Sequence, residues 1–233
     1  MNSVRQDGTR RTLLALLLTM LVTSFVHAGQ SESWDLALDK HNVQIYTRNV
    51  EGSAFKAYKA VTVVDASLAS VLAIFSNPDA NREWLEGCVH FEEIERSDFY
   101  SYSAYQVWDL PWPAKDRDFV VDVNINRIDE HIFHIQMEDR AERRPEDSDR
   151  VRASMPSGYY LLTEVEPGKT EVVMSQHVEP NGNLPGWMVN SLVTDTPYKS
   201  LRNLHDLATR EKYSQASFVE DDDGRITGIR LSQ

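Results

Sequence analysis

The feature that most constrains the fold is a run of six strand-like segments that ends in one long amphipathic helix. Each segment is rich in β-branched and aromatic residues, which suit a pleated sheet. Turn-forming residues separate the segments, among them Asp129 with Glu130 and Pro167 with Gly168. The pattern therefore predicts an antiparallel meander. Its strands are expected at 90–96, 100–108, 118–127, 132–139, 151–165 and 170–178.

A long helix is predicted over residues 185–208, directly after the meander. Pro185 suits the first turn of a helix, where its missing N–H is not needed. Pro197 lies inside the segment, so we expect a bend there or a change in which face is buried. The apolar positions form two sets, namely Met188, Val189, Leu192 and Val193 before Pro197, and Leu201, Leu204, Leu207 and Ala208 after it.

Two strands and two short helices are predicted ahead of the meander. The strands lie at 43–48 and 54–64. Ser67 offers an N-cap to the first helix, which Pro78 ends, and a shorter helix follows over 79–85. A long antiparallel meander closed by one terminal helix indicates an α+β fold with the helix laid across a curved sheet.

Residues 1–28 have the pattern of a secretory signal peptide. Three arginines precede an uncharged stretch over 13–26, and Val26 and Ala28 supply the small residues before a cleavage site. The stretch is shorter than the roughly 20 apolar residues that span a bilayer. We therefore expect cleavage after Ala28 and secretion across the inner membrane, into the periplasm of a Gram-negative source. An uncleaved membrane anchor is the alternative.

The chain is strongly acidic, with a formal net charge of −12. The leader carries three arginines and one aspartate, so its removal takes the charge to −14. Nucleic acid is thereby excluded as a partner, because its phosphates require a basic surface. Tight docking on anionic lipid is also disfavoured, although a local patch can still make transient contact with a membrane.

The sequence indicates one domain over residues 29–210 and a polar C-terminal tail over 211–233. No repeat or linker interrupts the domain, and the tail carries an acidic run at 220–223 without apolar periodicity. We expect a monomer with a loose tail. Cys88 is the single cysteine, so no intramolecular disulfide can form, and it is interpreted as a small buried hydrophobe.

A search for catalytic and metal-binding motifs finds no supported site. There is no phosphate-binding loop, dinucleotide-binding glycine pattern or nucleophile elbow. His131 and His134 lie three residues apart on a predicted strand, so they point to opposite faces and cannot share an ion. The acidic run at 220–223 with Gly224 hints at a calcium loop, but the twelfth position of that register is Arg230, where a glutamate is needed. No metal or cofactor is therefore expected.

Five motifs, in order, resemble the START family of steroidogenic-acute-regulatory-related lipid transfer domains. The most specific is Pro-Trp-Pro at 111–113 followed by Arg-Asp-Phe-Val at 117–120. The resemblance covers residues 34–208. The other motifs are Ile-Tyr-Thr-Arg at 45–48, Asn-Arg-Glu-Trp at 81–84, Gly-Tyr-Tyr at 158–160 and the turn into the terminal helix at 179–190.

The resemblance implies a helix-grip fold, in which a curved antiparallel sheet wraps around a long C-terminal helix and encloses a hydrophobic cavity. It also implies lipid binding and lipid transport without catalysis, with the helix as a gate. Sterol-carrying relatives keep a basic residue six positions after the motif arginine, where this chain has Val123. A sterol is therefore disfavoured, and fatty acids, phospholipids and hopanoids stay open.

The predicted ligand is a lipid or other hydrophobic small molecule, and a carrier and a ligand sensor are both compatible with it. An enzyme related to helix-grip cyclases and hydratases is the rival, and it would need His177, Asp195 and Tyr160 to converge in the cavity. The candidate residues that line or gate the cavity are Phe119, Val121, Val123, Tyr160, His177, Trp187, Met188, Leu192 and Asp195.

Overall fold

The computed structural model describes residues 33–232, and its main element is one ten-stranded sheet. Nine strands follow the order β1-β2-β3-β10-β9-β7-β6-β5-β4 and are antiparallel to their neighbours. The short β8 pairs in parallel with β6. The strands are β1 Asp35–Lys40, β2 Val43–Arg48, β3 Ala57–Val64, β4 Cys88–Asp98, β5 Ser101–Trp108, β6 Arg117–Arg127, β7 Ile132–Asp139, β8 Val151–Arg152, β9 Ser154–Glu166 and β10 Lys169–Glu179.

The sequence predicted the meander closely, with one difference. The expected strand at 151–165 is divided at Ala153 into β8 and β9. The amide of Ala153 donates to the Asp118 carbonyl at 3.0 Å, which holds β8 beside β6 rather than in line with β9. The Arg152 side chain strengthens this placement, because Arg152 and Asp118 form a buried ion pair at 2.9 Å.

Two helices separate β3 from β4 and cover the inner side of the sheet. Helix α1 spans Leu68–Phe75, and all of its residues are buried. Ser67 caps it by accepting the amide of Ser70 at 3.1 Å, as the sequence indicated. Helix α2 spans Pro78–Trp84 and is capped by Asn77.

The predicted terminal helix consists of three joined parts. They are α3 Gly186–Asn190, a π-helical turn Ser191–Asp195 and α4 Thr196–Ala208. The π turn ends just before Pro197, which has no N–H to donate to the preceding turn. Pro197 therefore marks a change of helical geometry, as its position predicted.

Helix α4 packs against β2, β3, α1 and α2. Its buried stripe is formed by Leu201, Leu204 and Leu207, each at most 1% exposed. The arrangement of a large antiparallel sheet around a C-terminal helix confirms the predicted α+β helix-grip fold. No helix in the described part of the chain is long and apolar enough to cross a membrane. The predicted signal peptide at 1–28 lies outside the described residues.

The expectation of a loose C-terminal tail is wrong. A short helix α5, Glu211–Ser214, is followed by a hairpin of β11 Ser217–Glu220 and β12 Ile226–Arg230. Tyr213 and Ile226 are each 1% exposed, and the Phe218 ring lies 5.7 Å from that of Phe133. These apolar residues are too widely spaced to form a periodic pattern, which is why the sequence did not reveal the packing.

Tyr213 provides a test of this packing, because its hydroxyl is buried without a hydrogen-bond partner among the described residues. We expect Tyr213→Ala to lower the free energy of unfolding by about 3–5 kcal/mol, as for other large buried side chains. Tyr213→Phe keeps the ring and removes the unsatisfied hydroxyl, so it should match or exceed the stability of the unchanged protein. Urea unfolding measures both. A loss below about 1 kcal/mol for the alanine variant would contradict the packing.

Candidate functional site

An apolar cavity lies between the sheet and the first half of the terminal helix. The space between its walls, including the solvent at the open mouth, is about 870 Å³. The part of this space that the centre of a water molecule can occupy is about 90 Å³. The smaller figure is the one comparable with the ~300–1,000 Å³ of typical ligand pockets, so the cavity in this structure is too small for a typical ligand. The helix side of the wall consists of Val189, Leu192, Val193 and Thr196.

The sheet side of the cavity combines apolar and polar side chains from six strands and their ends. Alternation along each strand brings every second residue to this face, so that Trp108 with Gln106 and Phe119 with Arg117 both line it. The pairing of Trp108 with Arg117 and of Gln106 with Phe119 across β5 and β6 makes these four a single patch. The remaining sheet-side residues are Phe55, Lys56, Tyr58, Leu110, Met137, Met155, Tyr160, Gln176, Val178 and Pro180.

A short hydrogen-bonded chain crosses the cavity wall from β3 to β9. The Tyr58 hydroxyl donates to Oε1 of Gln176 at 2.5 Å, and Nε2 of Gln176 donates to the Tyr160 hydroxyl at 3.1 Å. Burial raises the pKa of both tyrosines above the ordinary value, so both stay protonated and neutral. The Tyr160 ring also packs edge-on against Phe75 at 4.8 Å between centroids.

Arg117 is a buried cation in the wall, at 3% exposed. Its Nε donates to the Pro180 carbonyl at 2.8 Å, and its two terminal nitrogens donate to the carbonyls of Lys115 and Asn181, each at 2.6 Å. These bonds hold β6 to the turn that leads into the terminal helix. Gly182, with φ of +62°, lets this turn pass close to the guanidinium.

The structure brings three of the nine predicted site residues to the cavity wall. These are Phe119, Tyr160 and Leu192. The other six lie elsewhere, and whether any of them contacts a ligand stays a prediction. Val121, Val123 and Met188 are packed in the protein interior away from the cavity wall, His177 is buried and bonded to Glu179, Trp187 is 59% exposed, and Asp195 is exposed.

The positions of the candidates outside the wall have simple physical explanations. Val121 and Val123 share a face with Phe119, because side chains alternate along a strand, but that face is filled by core side chains beyond Phe119. His177 lies between Gln176 and Val178 on β10, and those two neighbours face the cavity. Side chains alternate along a strand, so His177 points to the other side.

Sequence reasoning missed the polar residues of the wall, above all Arg117, Gln106 and Gln176. Arg117 was interpreted as part of a fold motif. A signal was present, since Arg117 lies two residues before Phe119 and therefore on the same face of the strand. Gln106 and Gln176 offered no comparable signal, because a single glutamine on a strand is common on either face.

No group of three or more His, Cys, Asp or Glu within residues 33–232 is arranged to hold a metal ion. Nδ1 of His131 instead lies 2.8 Å from Oε2 of Glu164, and this hydrogen bond raises the pKa of the exposed imidazole. His134 lies beside the Tyr159 ring, at 5.3 Å between ring centroids. The two histidines thus have separate environments.

Cys88 lies at the start of β4 and is 6% exposed. Its thiol donates to the His90 carbonyl at 3.4 Å. Burial raises the pKa of the thiol from its ordinary value of 9.0 to about 12. This environment agrees with the interpretation of Cys88 as a buried hydrophobe and keeps it protonated at neutral pH.

Comparison with known proteins finds relatives of this chain. Residues 25–211 match the START domain family. An uncharacterized protein of Pseudomonas aeruginosa is 30% identical over 200 residues, which make up 84% of this chain and 98% of that protein. START domain-containing protein 10 of Mus musculus is 20% identical over 174 residues, 74% of this chain and 60% of that protein.

Solved structures show the same fold. The STAR-related lipid transfer protein of Xanthomonas axonopodis aligns with a TM-score of 0.68 at 24% identity, over 76% of this chain and 99% of that one. Human STARD10 aligns with a TM-score of 0.67 at 20% identity, over 75% of this chain and 72% of that one. At these identities the likeness concerns the fold alone.

The raised pKa of Cys88 predicts a loss of stability at alkaline pH. The folded state holds the thiol proton up to a pH of about 12, whereas the unfolded chain releases it near 9.0. The contribution is therefore fully present below pH 9 and is lost as the pH rises toward 12. Between pH 9 and 10.5 it amounts to about 2 kcal/mol. Urea unfolding at pH 8 and 10.5 measures it, and Cys88→Ala is expected to reduce the decline by about that amount. An unchanged decline would contradict the assignment.

Proposed function

Because the chain belongs to the START domain family, we propose that it binds one lipid or other apolar molecule in the cavity, as a noncatalytic carrier or sensor. The observation that supports this most directly is the apolar wall between the sheet and the terminal helix. The hydrocarbon chain of a lipid that leaves water for such a wall gains roughly 0.8 kcal/mol of transfer free energy per buried methylene. The ligand would then supply the packing contacts that core side chains provide elsewhere.

The proposal requires the cavity to open, because the space that the centre of a water molecule can reach is small. The helical half that covers the cavity contains the π turn Ser191–Asp195, a geometry that is often found at functional sites in helices. Leu192 and Val193 are only half-buried, in contrast to the fully buried stripe on α4. Movement of α3 and the π turn would admit a ligand while α4 stays in place.

Two exposed tryptophans support transient contact with a membrane during exchange. Trp112 is 89% exposed and Trp187 is 59% exposed. Each lies two residues from a residue of the cavity wall, Leu110 and Val189 respectively. Tryptophan favours the membrane–water interface, because one end of its ring system is apolar and the other is polar.

The enzymatic alternative receives no support from the proposed residues. It required His177, Asp195 and Tyr160 to converge in the cavity, and of these Tyr160 alone belongs to the wall. The Tyr160 hydroxyl is bonded to an amide, and burial raises its pKa. A neutral tyrosine in this setting can donate a hydrogen bond to a ligand but is a poor base.

We propose further that the protein is exported and acts in the periplasm, on the basis of the leader pattern at residues 1–28. Expression in a Gram-negative host with fractionation and N-terminal sequencing tests this. The expected result is a periplasmic protein that begins at Gly29. A protein retained in the membrane with an intact N-terminus would support the uncleaved anchor instead.

Bound lipid can be measured directly. We expect mass spectrometry of the organic extract of the purified protein to detect about one lipid per chain, since the site holds a single molecule. Empty protein should take up lipid from liposomes, and uptake should raise its melting temperature by mass action. The absence of both bound lipid and uptake would disprove the proposal.

A substitution that fills the cavity gives a site-specific version of the test. Val193→Trp places a large ring in the wall, so we expect most of the bound lipid to be lost. Thr194→Trp is the matched control, because Thr194 is adjacent in the chain but does not line the cavity. Equal lipid content in the two variants would indicate that binding occurs elsewhere.

A further inference from the structure

The charge of the cavity wall is opposite to that of the protein. The chain has a formal net charge of −12. Among the described residues that line the cavity, two are cationic, Lys56 and Arg117, and none is an aspartate or a glutamate. A positive wall in an acidic protein attracts anions selectively into the cavity, because the rest of the surface repels them.

Arg117 has no carboxylate partner at ion-pair distance within residues 33–232, although it is 3% exposed. Its hydrogen bonds go to three neutral carbonyls. Burial lowers the pKa of its guanidinium, and the adjacent Asp116 offsets this effect in part. A buried charge without a counter-charge is costly to maintain.

The neighbouring buried arginine provides a direct contrast. Arg152 forms an ion pair with Asp118, with side-chain exposures of 7% and 1%. Asp118 follows Arg117 in the chain and points to the opposite face of β6, away from the cavity. The fold therefore supplies a counter-charge to Arg152, outside the cavity, whereas Arg117, in the cavity wall, has none in the described part of the chain.

Lys56 lies toward the same end of the cavity. Lys56 lies two residues before Tyr58, Val178 lies two residues after Gln176, the strand partner of Tyr58, and both line the cavity. Val178 is two residues from Pro180, whose carbonyl accepts from Arg117. Lys56 is exposed and has no ion-pair partner in the described part of the chain.

The uncharged polar groups of the wall also offer hydrogen-bond donors. The two ends of the Gln106 amide differ. Its oxygen accepts the Trp108 indole N–H at 3.2 Å, whereas its Nε2 has no hydrogen-bond partner among the described residues. Gln106 pairs with Phe119, two residues from Arg117. Free donors beside unpaired cations suit a ligand group that accepts several hydrogen bonds.

We propose that the cavity takes an anionic amphiphile, with its carboxylate or phosphate oxygens at Arg117 and Lys56 and its apolar chain along the rest of the wall. This inference rests on the proposed function and names the ligand class for the same cavity. The anionic group would provide the counter-charge that Arg117 lacks and would form charge-assisted hydrogen bonds with its guanidinium.

The test compares two ligands that share a chain and differ in charge. Palmitate and hexadecanol compete with the neutral fluorescent probe N-phenyl-1-naphthylamine for the purified protein at pH 8. Palmitate is expected to bind about tenfold more tightly than hexadecanol, as charge-assisted hydrogen bonds are stronger than neutral ones. A phosphatidic acid with the same acyl chain tests the phosphate form, and inorganic phosphate alone is expected not to displace the probe.

Variants identify the end of the cavity that holds the anion. Lys56→Gln and Arg117→Gln are each expected to reduce the preference for palmitate over hexadecanol severalfold. Lys59→Gln is the matched control, three residues after Lys56 on β3, because the Lys59 ammonium lies over the Trp34 and Tyr46 rings and does not line the cavity. Unfolding midpoints are measured for all three. Lys56 is exposed, so its variant keeps the test valid even if Arg117→Gln fails to fold.

The outcomes separate this inference from the proposed function. Equal affinities for palmitate and hexadecanol, or an unchanged preference for palmitate in Lys56→Gln, would overturn the inference that the ligand is anionic. The proposal that the cavity binds an apolar molecule would then still stand. Displacement of the probe by inorganic phosphate overturns the requirement for an amphiphile. A protein that binds neither the probe nor either ligand overturns the proposed function itself.

Discussion

The packing of α4 against the sheet and the two inner helices is the interaction on which the rest of the structure depends. Its stripe of Leu201, Leu204 and Leu207 is fully buried and fills the core on that side. The first half of the terminal helix has no equivalent stripe, and Leu192 and Val193 are half-buried. A helix that is held firmly at one half and loosely at the other can cover a cavity and still move away from it.

The π turn lies at the end of the first half, next to α4, for a covalent reason. Pro197 cannot donate a backbone hydrogen bond, so the helix changes geometry immediately before it. The hydrogen bonds from Arg117 to the carbonyls of Pro180 and Asn181 hold β6 to the turn that leads into the same helix. The cavity is thereby bordered by a fixed wall, a loosely packed cover and a cation that has no carboxylate partner among residues 33–232. This combination favours an apolar ligand with one anionic end.

Local patterns in the sequence were sufficient for most of the fold. Segments rich in β-branched and aromatic residues, separated by turn residues, located β4 to β7 and β10. Ser67 and Pro78 located the ends of the inner helices, and the motif around Arg117 indicated the family. The hairpin at the C-terminus was missed, because Tyr213 and Ile226 contact the core from positions that show no regular spacing. The break between β8 and β9 was missed because it depends on a parallel pairing with β6 that is distant in sequence.

The sequence by itself determined the α+β architecture, the family and which residues share a face of each strand, since these follow from local periodicity and motifs. The tertiary structure alone decided which part of the inner face is core and which part is cavity. Phe119 and Val121 have the same orientation, yet of the two Phe119 alone reaches the cavity, because Val121 is enclosed by core side chains. That enclosure is set by long-range packing, which no local pattern encodes.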